Sequence, residues 1–559
     1  MSKKLASTPK YTSPNQLVLV GFETPFEQQL TSENRWVKLS KLIPWDKIVS
    51  KYDILFNSTE GRPPINGRIV IGAVIIKHML GLSDRETILQ IQENMFLQYF
   101  LGYSSFTNEA PFVASLFVEI RERLNIDIMT AINDIIIAHS FDHNSEIAPK
   151  KRSENNSDEH TNNTASSTPN TGDDTAATAQ PLIDLPKVEM AAITHKGKLL
   201  MDATAVPQNI TYPTDLKLLN AAREKSEELI DKLYQKGVYE KEKVRTYRQL
   251  ARKDFLNAAR KKRKSGKEIY KANGTQIRYL KRNLSYIDEL LLSYAKKKID
   301  PPLKAKDFVY LETIKLVYEQ QETMHRTNTH SIENRIVNIH QPHVRPIVRG
   351  KEGKKVEFGS KLQLCLVNGF THVDKLSWDN FNEGKYLQQS VELYKTKYGF
   401  YPTEVLADRI YCNRENRSWL KEKEIKLIAK PLGRPGKEAL SNPVSPGERN
   451  PIEGKIGQAK VGYGLANIGA KLKTTSEAWI AAIILVLNLV NLTRLNVLQI
   501  CQQINLLFYG KFKYNVRGAE FLSRPYIHLT TAQQSRVHFE RRIFCCGSYQ
   551  CDNPFFNST

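Results

Sequence analysis

Apolar positions near the N-terminus recur with a helical period. Ile69, Ala73, Ile76 and Leu80 fall on one face of a helix. The stretch Gly61-Arg-Pro-Pro-Ile65 forms a turn leading into it, because proline presets the backbone near a helix start. Gly81 suits a C-terminal stop, and Ser83-x-x-Glu86 is a capping box that starts the next helix. A third helix is predicted over Ser115 to Leu124. Residues 15–140 therefore read as an all-helical domain. Three short helices with a glycine-containing turn suit a helix-turn-helix-like DNA reader or, equally, a plain helical packing domain.

Further along, the period changes to two. Val356, Phe358, Leu362, Leu364 and Leu366 occupy even positions, the signature of a strand. Asn368-Gly369 is a hairpin turn into a second strand, Phe370 to Trp378. Lys198 to Ala203 reads as an earlier strand, with Asp202 near its end. Between them, residues 215–330 read as long polar helices. A helix over Lys385 to Lys397, a strand over Glu404 to Asp408, a helix over Asn413 to Lys423, a strand over Lys426 to Ala429 and a helix from Pro451 complete the pattern. The fold class predicted for 195–495 is α/β, a mixed sheet interrupted by a large helical insertion. The sixteen uncharged residues from Ala478 to Thr493 are short of a membrane span and contain Asn488 and Asn491, so they predict a buried core helix.

Two segments carry no such pattern. Ser153 to Gln180 contains no Val, Ile, Leu, Met, Phe, Trp or Tyr, so it cannot offset its ordering entropy, and 143–187 is expected to be a disordered linker. The tail over 500–559 is basic and aromatic. Its Cys545, Cys546 and Cys551 lack a fourth ligand at standard zinc spacing and read better as free thiols. The four histidines at 325, 330, 340 and 343 likewise lack zinc-motif spacing.

Composition changes the picture in one respect. The 559 residues carry 81 Lys and Arg against 59 Asp and Glu, a net charge of +22. That excess predicts a polyanionic partner, nucleic acid before an anionic membrane. Sparse cysteine and a polar N-terminus predict a reducing cytoplasm and no membrane association. The excess is uneven: Lys241 to Lys264 holds eleven basic and two acidic residues, densest at Arg260, Lys261, Lys262, Arg263 and Lys264. Arg345, Arg349 and Lys351 form a second basic group ahead of a strand. A charge run alone reads as a solvated helix face.

Three carboxylates stand where the predicted elements converge. They are Asp202 after Leu199-Leu-Met, Asp408 after Val405-Leu-Ala, and Glu453 in Arg449-Asn-Pro-Ile-Glu453-Gly-Lys-Ile-Gly-Gln-Ala-Lys460. Singly, each has a structural explanation, as a turn aspartate or as a glutamate favouring the helix dipole. Clustered, they would repel one another without a counter-charge, and hard divalent cations bind such oxygens. Helical spacing puts Glu453, Gly457 and Lys460 on one face.

These stretches resemble the bacterial insertion-sequence DDE transposases. The resemblance rests on Leu200-Met-Asp202-Ala-Thr-Ala-Val-Pro207 with Tyr212-Pro-Thr-Asp215, on Ala407-Asp408-Arg-Ile-Tyr411 with Asn413-Arg-Glu-Asn-Arg417, and on the Arg449, Glu453, Lys460 spacing with Tyr463-Gly-Leu465. Pro446 stands where the family often has Tyr, and Ile410 where it often has Gly. Gly61-Arg-Pro-Pro64, Gly81-Leu-Ser-Asp-Arg-Glu86 and Arg121-Glu-Arg-Leu124 are similar to the family's N-terminal domain.

The resemblance implies a ribonuclease-H-like catalytic fold in which Asp202, Asp408 and Glu453 are catalytic and hold two Mg²⁺ ions, with Mn²⁺ as a substitute. It implies that Arg449 and Lys460 hold DNA phosphates, and it turns the two basic groups into candidate DNA contacts. The implied partners are double-stranded DNA, both terminal inverted repeats and target, and further copies of the chain in a homodimer or higher synaptic complex. The implied location is a prokaryotic cytoplasm, at the nucleoid. The implied reaction is cleavage at the element's ends and transfer of the 3′-hydroxyl to target DNA. A non-cutting DNA-binding descendant of such an enzyme is the alternative.

Overall fold

The computed structural model describes residues 11, 13, 24–56, 64–146, 194–348, 356–430 and 446–513. Most of the expected linker, the tail beyond 513 with its three cysteines, Gly61 to Pro63, Arg349 and Lys351 lie outside the described residues. The chain forms two compact units, Met1–Leu495 and Asn496–Thr559.

Eight helices open the described chain: α1 Pro25–Gln29, α2 Arg35–Leu42, α3 Trp45–Asp53, α4 Gly67–Leu80, α5 Asp84–Glu93, α6 Met95–Phe100, α7 Leu116–Arg123 and α8 Ile126–Glu146. Their starts are chemically marked. Asn34, Asn66, Ser83 and Asn94 each accept a hydrogen bond from the backbone of the following turn, satisfying donors that the helix leaves unpaired. Gly81 takes the left-handed conformation that ends α4, at φ 68°.

α4 is buried on every side, from Gly67 to His78. The helix expected from the spacing of Ile69, Ala73, Ile76 and Leu80 is present, and its burial extends beyond the face those residues mark. Arg68, buried on this helix, donates to Phe100 O, Tyr99 O and Ser40 Oγ and lies over the Trp45 ring. A helix enclosed in this way presents no face to a DNA groove.

Ten-residue β1 spans Lys198–Pro207. Four helices follow: α9 Asp215–Leu233, α10 Arg248–Arg260, α11 Gly266–Lys297 and α12 Ala305–Thr327. Of these, α9, α11 and α12 pack around Leu219, Ile230, Leu280, Ile287, Leu290 and Ile314, a core separate from that of the sheet. Asp215 closes the base of this insertion. Its Oδ1 accepts from Gln321 Nε2 at 2.9 Å and from Arg335 at 2.6 Å, tying the outgoing helix to the returning chain.

The sheet is completed by β2 Arg345–Val348, β3 Val356–Val367, β4 Phe370–Ser377, β5 Glu404–Leu406 and β6 Lys426–Ile428. Its order is β2-β3-β1-β5-β6, with β4 also paired to β3. β1, β2 and β4 run antiparallel to β3, whereas β5 and β6 run parallel to β1. Asn368 and Gly369 both take positive φ, 50° and 84°, as a two-residue hairpin turn requires. The mixed α/β class read from the periodicity is the class observed.

Side chains alternate across this sheet. Val206, Leu362, Leu364 and Leu366 share one core with α15 (Asn450–Gly462) and α16 (Lys473–Lys513). Leu199, Met201, Cys365 and Val367 share another with α13 (Leu387–Tyr398) and α14 (Arg414–Glu422). α16 joins the halves of the first unit. Ile480, Ile483, Ile484 and Leu487 pack on the sheet, while Ala481, Leu485, Val486 and Leu489 pack into the N-terminal helices. By length and composition Lys473–Arg494 could cross a membrane, but 78% of that window is buried within the protein, as a core helix should be.

Candidate catalytic site

Asp202 belongs to the even face of β1, opposite Leu364 in register. The strand does not end there, as the sequence suggested. It continues to Pro207 because β3 supplies pairing partners as far as Gly359. Gly359 has no alternative: a Cβ there would stand 2.0 Å from Val206 O. What stops near Asp202 is the neighbour on the other side. β5 pairs with β1 only through Leu200↔Leu406. Past that point the chain of β5 turns away and delivers Asp408 alongside.

Asp408 caps a short 3-10 turn over Arg409–Tyr411, accepting from Arg409 N–H at 2.7 Å. Its role as a turn residue is thus real, yet it leaves the second oxygen uncommitted to that turn. Tyr411 is fully buried and anchors the turn. Asn416, also buried, donates to Tyr411 O at 3.0 Å and Gly384 O at 2.6 Å, fastening this turn to the one carrying Glu383. Gly384 must be glycine, since a Cβ would lie 2.6 Å from Ile410 O. Glu453 occupies the first turn of α15, which proline at 451 helps to initiate.

All three carboxylates line one cavity of about 940 Å³, together with Arg449, Gly457 and Lys460 on the α15 side, Ile410, and residues Asn380 to Glu383. Ala203, Thr204 and Ala205 form its floor, small side chains that leave the space open. The Arg449 guanidinium lies between two of the acids. It is 3.2 Å from Asp408 Oδ1 and pairs with Glu453 Oε1, four residues on along the helix.

The electrostatics follow from this enclosure. Burial pushes the Asp202 carboxyl up to about 6; Arg449 opposes the shift, while Glu383 and Asp408 add to it. Burial pulls the Arg449 guanidinium down, but its bond to Glu453 and the charges of Asp202 and Asp408 outweigh that and hold it above its ordinary value. Oxygen donors of this kind suit a hard divalent cation. Among the described residues, no three of His, Cys, Asp and Glu are set closely enough to hold a metal as they stand. Arg449 occupies the gap with a positive charge of its own, which marks the position as one where a cation is favoured.

Sequence reasoning missed Glu383, a fourth acid at the cavity, held by Lys361 Nζ at 2.9 Å. It opens a short 3-10 turn after β4, Glu383–Tyr386, where no period marks it. The role of Asn416 is likewise not legible in Asn413-Arg-Glu-Asn416, because its partners lie in other turns.

The other predicted site residues that the structure describes do not line this cavity. Arg260, Lys261, Lys262, Arg263 and Lys264 are exposed between α10 and α11. Lys261 pairs with Glu268 at 2.6 Å, and elsewhere in the basic run Lys241, Lys243 and Arg248 pair with Glu289, Asp231 and Asp231. A linear count overstated the free charge because the balancing acids come from other helices. Arg345 is half-buried against Asp379 at 3.5 Å. In the N-terminal helices, Arg121 holds Asp84 through two bonds of 2.9 Å, Lys77 joins it at 3.0 Å, and both bases lie over the Trp479 ring of α16. Those signature residues fasten helices together.

Comparison with known proteins bears out the resemblance. Residues 24–123 match a family described as a transposase domain (DUF772), and residues 405–490 match the transposase DDE domain. The second match takes in Asp408, Arg449, Glu453 and Lys460; Asp202 lies outside both. An uncharacterized protein, ORF8 in the nfe locus of Rhizobium meliloti, is 33% identical over 88 residues, 16% of this chain. The chain spans 42% of that relative's length. No solved structure matches. Two parts of the chain thus match transposase domains, and the sheet described above is the ribonuclease-H-like fold that the DDE domain implies.

Proposed function

We propose that this chain cuts DNA at the ends of an insertion element and joins the freed strand to target DNA. The observation that carries the reading is the convergence of Asp202, Asp408 and Glu453 on one cavity flanked by Arg449 and Lys460. The three carboxylates would hold divalent cations, Mg²⁺ or Mn²⁺. Ions bound there would supply activation of the attacking oxygen and stabilisation of the leaving one.

In the first step water attacks a backbone phosphorus and the bond to the 3′-oxygen breaks, leaving a 3′-hydroxyl and a 5′-phosphate. In the second, that hydroxyl attacks a target phosphorus and displaces its 3′-oxygen, so one phosphodiester replaces another. Lys460, on the same helical face as Glu453, would hold a phosphate through charge-assisted bonds. Exposed Arg260, Lys262 and Arg263 would extend the DNA path over the insertion, with Arg345, Arg349 and Lys351 as a second contact. Two ends must be processed together, which calls for at least two copies of the chain. Residues 15–140 would support this assembly; any contact with terminal repeats would fall to exposed side chains such as Arg85.

The test is a cleavage assay with Mg²⁺ and DNA carrying the element's ends. The wild type is expected to cleave, and Asp408→Asn to bind the same DNA without cutting it. A wild type that binds and never cleaves, or a variant that cleaves equally well, defeats the reading.

A further inference from the structure

Arg449 is placed where a phosphate-holding residue would not be expected to rest. Its guanidinium bridges two of the three acids that the proposed function assigns to metal. Its side chain is also the most enclosed of the three partners, 22% exposed against 56% for Asp408 and 52% for Glu453. The cation therefore lies inward, and the carboxylates are reachable from solvent. The fourth acid, Glu383, does not compete for Arg449, because Lys361 already neutralises it.

Divalent cations taking oxygens of Asp408 and Glu453 must dislodge this guanidinium. The two positive groups repel, and the oxygens cannot serve both at full strength. Once displaced, Arg449 has lost its anions beside a centre that has gained positive charge. A phosphate oxygen of DNA would restore the balance, and the planar guanidinium fork matches phosphate geometry.

We propose that Arg449 is the resident counter-cation of the metal-free site and exchanges its carboxylates for a DNA backbone phosphate when divalent cations enter. This inference rests on the metal-holding role of the acids given above. It makes metal and DNA binding mutually reinforcing through one side chain. By linkage, the factor by which DNA tightens metal binding equals the factor by which metal tightens DNA binding. Without DNA, Arg449 competes with the metal, and the site loads poorly.

Direct Mn²⁺ titration of the full chain tests this, with and without a duplex oligonucleotide of arbitrary sequence. Arg449→Gln keeps a polar side chain and removes the charge. Without DNA it is expected to bind Mn²⁺ about tenfold tighter than the wild type, in the usual range for coupled sites. The duplex is expected to tighten Mn²⁺ binding in the wild type by a similar factor and to change it little in Arg449→Gln. Arg449→Lys, which keeps the charge but loses the fork, should fall between them and guards against a folding defect in the first variant.

The exchange is overturned if Arg449→Gln binds Mn²⁺ no tighter than the wild type, or if the duplex tightens both proteins equally. Asp408→Asn separates this failure from that of the underlying reading. Loss of Mn²⁺ binding in Asp408→Asn with no gain in Arg449→Gln defeats the exchange alone. Unchanged Mn²⁺ binding in Asp408→Asn defeats the carboxylate site itself, and the exchange with it.

Discussion

Asn488 Nδ2 donates to Asn133 Oδ1 at 2.7 Å, deep in the protein, where Asn488 is 0% exposed. The same amide accepts from Thr371 N–H and donates to Thr371 O, both at 2.7 Å. One side chain on α16 thereby fixes the position of α8 and of β4. Asn488→Leu would leave these buried groups without partners. It is expected to cost on the order of 1–3 kcal/mol of stability, read from denaturant unfolding. A variant as stable as the wild type would show that the bond is dispensable.

The N-terminal helices should prove inseparable from the catalytic fold. Ala481, Leu485, Val486, Leu489 and Leu492 of α16 are covered by α1–α8. A chain starting at residue 194 would expose that apolar stripe. Aggregation on expression, or binding of a hydrophobic dye, is expected. A soluble, cooperatively unfolding fragment would contradict the shared core.

Asp202→Asn should stabilise the fold at neutral pH. Asp202 titrates at about 6 in the folded chain against its ordinary 3.8, so the folded state favours the neutral acid. Between these values the folded state binds a proton that the unfolded state has released, and stability falls as pH rises. Above about pH 6 the carboxylate costs the fold up to roughly 3 kcal/mol. Asparagine never ionises, so its melting temperature is expected to exceed that of the wild type at pH 8 and to converge with it near pH 4.

The same carboxyl should set a lower pH limit on metal binding. Only its ionised form can hold a cation. Mn²⁺ affinity is expected to be flat above pH 7 and to weaken below about pH 6, approaching tenfold per unit. Arg449, Glu383 and Asp408 face Asp202 and tune that midpoint. Arg449→Gln, which removes a charge that lowers it, should shift the midpoint upward. A flat titration down to pH 5 would rule out Asp202 as a metal-holding group.

Lys262→Glu with Arg263→Glu should weaken DNA binding without altering Mn²⁺ affinity, because these side chains lie away from the cavity lining. Each lost phosphate contact should reduce the slope of log affinity against log salt by about one. An unchanged slope would return the run to a solvated helix face.

Much of the fold was legible because periodicity is local. A period of two over Val356 to Leu366, the Asn368-Gly369 turn and the alternation of strands and helices after Leu387 predicted the sheet and its fold class. The spacing of Arg449, Glu453 and Lys460 was legible because one helix carries the last two and Arg449 caps its start. What needed neighbours distant in sequence was not legible. The apolar period around Ile69 could not distinguish a half-buried helix from an enclosed one. The charge of Lys241 to Lys264 could not reveal Glu289 and Asp231 waiting on other helices. Asp84 and Arg121 could be recognised as a signature but not as a clamp on Trp479. Sequence by itself determined many of the elements and the fold class, and it pointed to the three acids. Tertiary structure alone decided that Glu383 joins them, that Arg449 lies between two of them, and that α16 supplies residues both to the core of the sheet and to that of the N-terminal helices. Most of those relations depend on packing and charge balance between segments tens to hundreds of residues apart, which no local pattern encodes.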